Sequence, residues 1–193
     1  ITRAEFAAVA VRAKGLANAA VASKGLPTGF SDVQNWHWAS GIVGTAAKTG
    51  VVNGIGNGLF APEAPVKYEE AITMLVRALG YEAAAQTKGG YPYGYLIVGN
   101  EIGLLDEVKG TQGAPASRGI VAQMTDNALE IPMMIQVGFG QDTKWVVSGS
   151  KEHGDNASEQ YLLDSMGFDS VKGRVTNVNS NRKGITVSVE DED

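Results

Sequence analysis

The sequence predicts a mainly α-helical repeat fold followed by a small β unit. Three observations carry this. A helix-forming segment recurs from Ile1, Val66 and Ala116, at offsets of 65 and then 50 residues. A four-residue apolar step occurs twice, and after Met134 the pattern changes to short β-branched alternation.

The recurring segment is justified residue by residue. Val11, Arg12, Ala13 and Gly15 match Val76, Arg77, Ala78 and Gly80, and Glu5 matches Glu70. In the third copy Ser117 falls under Thr2, Arg118 under Arg3 and Ala128 under Ala13. Thr2 and Ser117 fit N-caps, because a hydroxyl oxygen can accept one of the unpaired N–H groups of a first turn. Glu5, three residues after Thr2, completes a capping box. The second copy has Lys67 at the cap and lacks that hydroxyl.

The second element is a stripe. Trp38, Ile42, Ala46 and Gly50 step by four, as do Tyr91, Tyr95, Gly99 and Gly103. A step of four keeps side chains on one helical face. Gly50 and Gly103 stand where a helix end favours a residue in the left-handed region. Each unit thus reads as a short helix, a loop and a second helix, and the first unit starts at its second helix. The implied division is 1–29 for the second half of unit one, 30–81 for unit two and 82–134 for a degenerate unit three. Residues 135–193 then form a small, incomplete β domain. Its signals are TKWVVSG, VKGRVTNV and GITVSVED, with NRKG (Asn181–Gly184) as a hairpin turn.

Composition narrows the function. The chain has 193 residues, enough to bury a real core. Its 16 basic and 21 acidic residues leave a net charge of −5, with no basic face of the kind a duplex binder needs. There is no cysteine, which excludes disulfides, thiolate catalysis and cysteine zinc sites. No apolar run approaches the roughly 20 residues that span a bilayer. The start at Ile1, without Met or a signal peptide, suggests a processed or truncated piece.

Catalytic signals are thin. His37 and His153 are the only histidines, and the EHGD stretch (Glu152–Asp155) has no partner cluster for a metal. Gly54, Gly56 and Gly58 form a GxGxG without a preceding strand, which argues against a phosphate loop. No enzymatic activity, cofactor or metal is expected.

Five short motifs fall in register across one unit: ITRAE at Ile1–Glu5, FSDV at Phe30–Val33, WAxxI from Trp38, VVNG at Val51–Gly54 and FAP at Phe60–Pro62. In order and spacing they resemble the S-layer homology (SLH) repeats of bacterial, Gram-positive, clostridial-type surface proteins. The resemblance covers about residues 1–134. It implies an SLH-type pseudo-threefold helical domain, here with an incomplete first repeat, located outside the cell at the wall or surface layer. It further implies grooves that bind a secondary cell-wall polysaccharide through a pyruvylated amino sugar, with the arginine of TRAE as a main contact. That position is Arg3 in the first unit and Arg118 in the third. Tyr68 replaces it in the second and puts that groove in doubt.

The chemistry fits those types. A pyruvyl ketal carries a carboxylate, and a guanidinium fork makes bidentate, charge-assisted bonds to it. Sugar rings stack on flat apolar faces, for which Trp38, Trp36 and Tyr93 are candidates, and Gly54 would let backbone approach a ligand. Plainer readings stand beside these. Arg3 can be a solvated first-turn residue, Glu5 a cap, and the apolar stripe favours Trp38 as core over a sugar platform.

The leading expectation is a wall anchor, and the alternative is a structural subunit of a surface layer or filament. The alternative has a specific motive. Phe6, Val9, Ala10, Ala13 and Leu16 form an i, i+3, i+4 stripe, yet the first unit has no partner helix upstream of it. A neighbouring chain, self-assembly or upstream residues are expected to cover it, in preference to the β unit.

Overall fold

The computed structural model describes residues 1–168, and as backbone 174–179 and 184–188. The helices are α1 (Arg3–Ala13), α2 (Ala17–Ala22), α3 (Ser40–Lys48), α4 (Tyr68–Ala78), α5 (Glu82–Thr87), α6 (Tyr93–Glu101), α7 (Arg118–Leu129) and α8 (Leu162–Ser165). The strands are β1 (Met134–Val137), β2 (Lys144–Val147), β3 (Arg174–Asn179) and β4 (Gly184–Ser188). They pair as two antiparallel hairpins, β1 with β2 and β3 with β4. Asn181–Lys183, the expected hairpin turn, lie outside the described residues.

Local signals place the long helices. The Thr2 hydroxyl accepts the Glu5 N–H, and the Glu5 carboxylate accepts the Thr2 N–H, so α1 begins with a full capping box. Ser117 caps α7 through the Ile120 N–H. The start of α4 is half-capped: Lys67 has no acceptor to offer, but its own N–H donates to the Glu70 carboxylate. Gly50 and Gly103 follow α3 and α6 with φ of 73° and 80°, the left-handed geometry their positions suggested. The other two helices start slightly later than the stripes implied, at Ser40 and Tyr93 rather than near Trp38 and Tyr91.

Residues 30–81 hold α3, the turn-rich loop and α4, and a short helix is added after each of the first two TRAE-type helices: α1 is followed by α2 and α3, and α4 by α5 and α6. In each set the first and second helices pack on the third. The α2–α3 approach is so close that a Cβ on Gly41 would lie 2.0 Å from the Ala20 carbonyl oxygen. At the equivalent α5–α6 contact a Cβ on Gly94 would lie 2.1 Å from the Ala85 oxygen.

The units are joined by the same backbone hydrogen bonds twice. Val66 donates to the Ile1 oxygen and Arg3 to the Ala64 oxygen, beside a bridge between Thr2 and Pro65. Fifty residues on, Ala116 donates to Val66 and Tyr68 to Ala114, beside a bridge between Lys67 and Pro115. The core runs through all of them. Phe6, Phe60, Ile72, Leu75, Leu79, Tyr95 and Met124 are fully buried, each contributing about 1.5–3 kcal/mol of apolar burial.

The expectation of an uncovered first unit is overturned. Phe6, Ala10 and Ala13 are buried and Val9 and Leu16 partly buried, because α1 packs against α2, α3, α4 and α8 of its own chain. The covering elements follow α1 in the chain, which a search for an upstream helix misses. The C-terminal region closes the rest. A Cβ on Gly15 would lie 1.8 Å from the Ser165 oxygen, and one on Gly80 2.1 Å from the Met134 oxygen. Met134 also donates to the Leu79 oxygen, and Leu162 is fully buried in the helical core. Two glycines at the same repeat position thus receive two different parts of the segment after α7.

Candidate functional site

The site begins at the first residue of α1. Arg3 is 4% exposed, unusual for an arginine and tolerable only because its donors are used. Its Nη1 pairs with Glu70 Oε1 at 2.7 Å, its Nε donates to the Phe60 oxygen at 2.8 Å and its Nη2 to the Asn53 oxygen at 3.3 Å. The guanidinium also lies over the Phe60 ring, 4.8 Å from its centre. The FSDV motif supports this clamp. Both Asp32 oxygens accept backbone N–H groups, from Phe60 at 2.9 Å and Ala61 at 2.7 Å. Asp32 therefore fixes the loop whose Phe60 carbonyl holds Arg3.

Beside the clamp is a cavity of about 670 Å³, within the 300–1,000 Å³ typical of small-ligand sites. One wall is α4, which presents Glu70, Thr73, Met74 and Arg77 at i, i+3, i+4 and i+7. The opposite wall is the turn-rich loop from Asn53 to Gly56, and Ala61, Ala64 and Pro65 also border the space. Tyr91, from the segment between α5 and α6, completes it. All three sequence units contribute.

The cavity is cationic in an acidic chain. Its lining carries Arg3, Lys67 and Arg77 against Glu70 alone. Arg77 is braced from behind: Nε and Nη2 bond Glu82, and Nη2 reaches the Tyr95 hydroxyl at 3.0 Å. Glu82 offsets Arg77 from outside the lining, Glu69 brings a further negative charge near Tyr91, and Lys67 has no carboxylate partner among the described residues. Burial alone would raise the Glu82 carboxyl, but its bonds from Arg77, Tyr95 and Gln86 outweigh that and hold it below its usual range. Burial, reinforced by Glu69 and Glu70, raises the Tyr91 phenol, so it stays protonated. Asn53 links the two arginines. Its backbone oxygen accepts from Arg3, and with its amide turned to satisfy both ends its side-chain oxygen accepts from Arg77 Nη2 at 3.0 Å.

The other residues singled out by sequence lie as follows. Gly54 borders the cavity, but a Cβ there would already meet the Leu59 oxygen at 2.5 Å and the Phe30 ring at 2.8 Å. Loop packing therefore demands this glycine whether or not a ligand approaches. Trp38 is 50% exposed, against the expectation of a core residue, because it precedes α3 rather than extending its apolar face. Trp36 is 79% exposed, and neither tryptophan lines the cavity. Tyr68 occupies the Arg3 position of the second unit but is buried, with its ring where a Cβ on Gly110 would fall, at 2.2 Å. Arg118 is the first residue of α7, exposed and away from this cavity. Tyr93 is exposed at the start of α6; Tyr91, two residues earlier, is the ring at the cavity. His153 accepts the Gly149 N–H, and no group of three metal-ligating side chains gathers among the described residues. None of the described helices is long and apolar enough to cross a membrane.

The loop that positions Arg3 lies wholly within the stretch that decides the family: residues 29–72 match the S-layer homology domain model. The chain carries an S-layer homology domain. It is 39% identical over 144 residues to the Middle cell wall protein of Brevibacillus brevis, covering 75% of this chain and 13% of that protein. It is 35% identical, over 144 residues, to the Surface layer protein of Brevibacillus choshinensis, covering 75% of this chain and 12% of that one. To the Cell surface protein of Thermoanaerobacter kivui it is 34% identical over 134 residues, covering 69% of this chain and 17% of the relative. The chain therefore spans less than a fifth of the length of each. The S-layer homology domain and these relatives place it outside the cell, at the bacterial wall, and support a role in surface anchoring or in a surface layer.

Proposed function

We propose that the chain anchors a larger surface protein to the wall by binding an acidic secondary polysaccharide in the Arg3 cavity, the acid being a pyruvyl ketal on an amino sugar. The supporting observation is the cavity itself, a cationic recess in an acidic chain, with a guanidinium held rigid at a helix N-terminus. Arg3 and Lys67 face an entering carboxylate with charge-assisted donors, and the α1 dipole favours negative charge there. Because Glu70, Phe60 and Asn53 fix Arg3 beforehand, little side-chain entropy is lost on binding. Met74, Ala64, Pro65 and Tyr91 supply apolar surface for the C–H faces of a sugar. The recurrence of one junction geometry at two unit boundaries supports a pseudo-threefold arrangement of the helical units.

The test is co-sedimentation of the 193-residue chain with purified sacculi, intact and chemically stripped of secondary polymer. Binding to intact sacculi only is the expected result. Equal binding to stripped sacculi refutes the polysaccharide reading. A structural role in a surface layer stands as the alternative, but assembly through an open first unit loses its motive because α8 and α3 cover that helix.

A further inference from the structure

The segment after α7 meets each of the three long helices. It starts where α7 ends, and its α8 packs on both α7 and α1. Gly15 and Gly80, which follow α1 and α4, rest against the Ser165 and Met134 oxygens. Residues 131–168 thus form a collar at the end of the domain away from the cavity. Three consecutive residues tie its backbone down. The Tyr81 hydroxyl donates to the Pro132 oxygen at 2.8 Å, the Met133 N–H to the Gln160 oxygen at 2.7 Å and the Met134 N–H to the Leu79 oxygen at 2.9 Å. Leu162 then pins the returning chain in the helical core.

Lys14 shows what the collar serves. The other units have leucine at this position, Leu79 and Leu129. Core packing alone would favour a leucine here too, because burial disfavours the charged form and pushes this ammonium below its ordinary range. Lys14 instead sits at the C-cap of α1 and donates through Nζ to the Ala78 oxygen, at the last turn of α4, at 3.0 Å. The bond mirrors the 2.7 Å Arg3–Glu70 pair at the other end of the same two helices. Each helix has 11 residues, about 16 Å of length, and the two are tied together at both ends. One end borders the cavity and the other lies in the collar. We propose that α1 and α4 form a load path, in which the collar takes tension from the protein body beyond α8 and Lys14 divides it between both helices. β3 and β4 follow α8 in the chain, so a pull from that side reaches the collar first. Without the tie, β1 would load α4 alone and α8 would load α1 alone, and the contacts would peel one after another. With it they must break together.

This inference rests on the anchoring reading, and the experiment separates the two. The chain has no cysteine, so two introduced thiols define where an optical trap pulls. Glu63→Cys with Phe168→Cys, both exposed, loads the domain through the collar. Glu63→Cys with Val21→Cys, on the exposed face of α2, bypasses it. Through the collar the domain should open in one step at constant force. Lys14→Met, which keeps the apolar stem, should open about tenfold faster in that geometry, as loss of one charge-assisted hydrogen bond gives. In the bypass geometry its rate should stay unchanged, which also reports that the variant is folded. A collar that detaches in an earlier, separate step overturns the load path. So does a Lys14→Met variant that changes both geometries alike, since the lysine then adds only general stability, or one that changes neither. Each of these results leaves the anchoring reading standing if the unaltered chain sediments with intact sacculi. If it does not, the anchoring reading falls and takes this inference with it.

Discussion

Replacing Arg3 by Met removes a buried charge from a site built around it. Glu70 would keep one hydrogen bond, from the Lys67 N–H, but lose its counter-charge while only 14% exposed. The Phe60 and Asn53 oxygens would lose their donors. Breaking a buried pair from one side costs about 3–5 kcal/mol. The surviving Lys67 bond and the bordering cavity, which admits water, place Arg3→Met at the low end, about 3 kcal/mol. Removing both partners together, as Arg3→Met/Glu70→Met, leaves no orphaned charge and should cost only about 1–2 kcal/mol. Equilibrium urea unfolding of the two single variants and the double variant gives the coupling directly. If Arg3→Met costs less than about 1 kcal/mol, or the double variant is no better than the single, the guanidinium is not the clamp described above.

Three further outcomes follow from the packing and the charges. Leu162→Ala should destabilise the helical core by about 2–5 kcal/mol in the same unfolding transition, because Leu162 is fully buried against it; a separate, earlier transition would mean that α8 is not part of that core. Gly41→Ala should cost about 1–3 kcal/mol through overpacking, since its Cβ would sit 2.0 Å from the Ala20 oxygen, and an unchanged melting temperature would contradict the α2–α3 contact. Glu82 has a folded pKa held below its ordinary carboxylate value, so its contribution is present above the unfolded pKa and lost as pH falls through the lower folded one. Glu82→Gln should therefore flatten the acid limb of stability below about pH 4.5, and an acid limb identical to that of the unaltered chain would show that Glu82 is not held down by Arg77.

Much of the framework is written locally. A hydroxyl three residues before a free N–H, or a glycine after an apolar stripe, acts within one turn of helix. Thr2, Ser117, Gly50 and Gly103 therefore announce their helix ends in any context. The helices α2 and α5 send no such signal. Each is six residues long and starts from a residue, Leu16 or Tyr81, that makes no side-chain cap. Each buries only one alanine, Ala20 or Ala85, so no periodic stripe betrays it. They exist because α3 and α6 offer glycines that let them approach.

The sequence by itself determined the repeat, the caps, the motif that places an arginine at a helix start, and the absence of cysteine chemistry. The tertiary structure alone decided what that arginine does. Arg3, Asn53, Glu70, Arg77 and Tyr91 are spread over some ninety residues, and no spacing rule gathers them. They meet because the junction bonds from Val66 to Ile1 and from Arg3 to Ala64 lay the first helix beside the fourth. The cover of α1 was also decided at that level. Gly15 and Ser165 touch across 150 residues of chain, and a contact of that separation leaves no periodicity in sequence, only a glycine small enough to allow it.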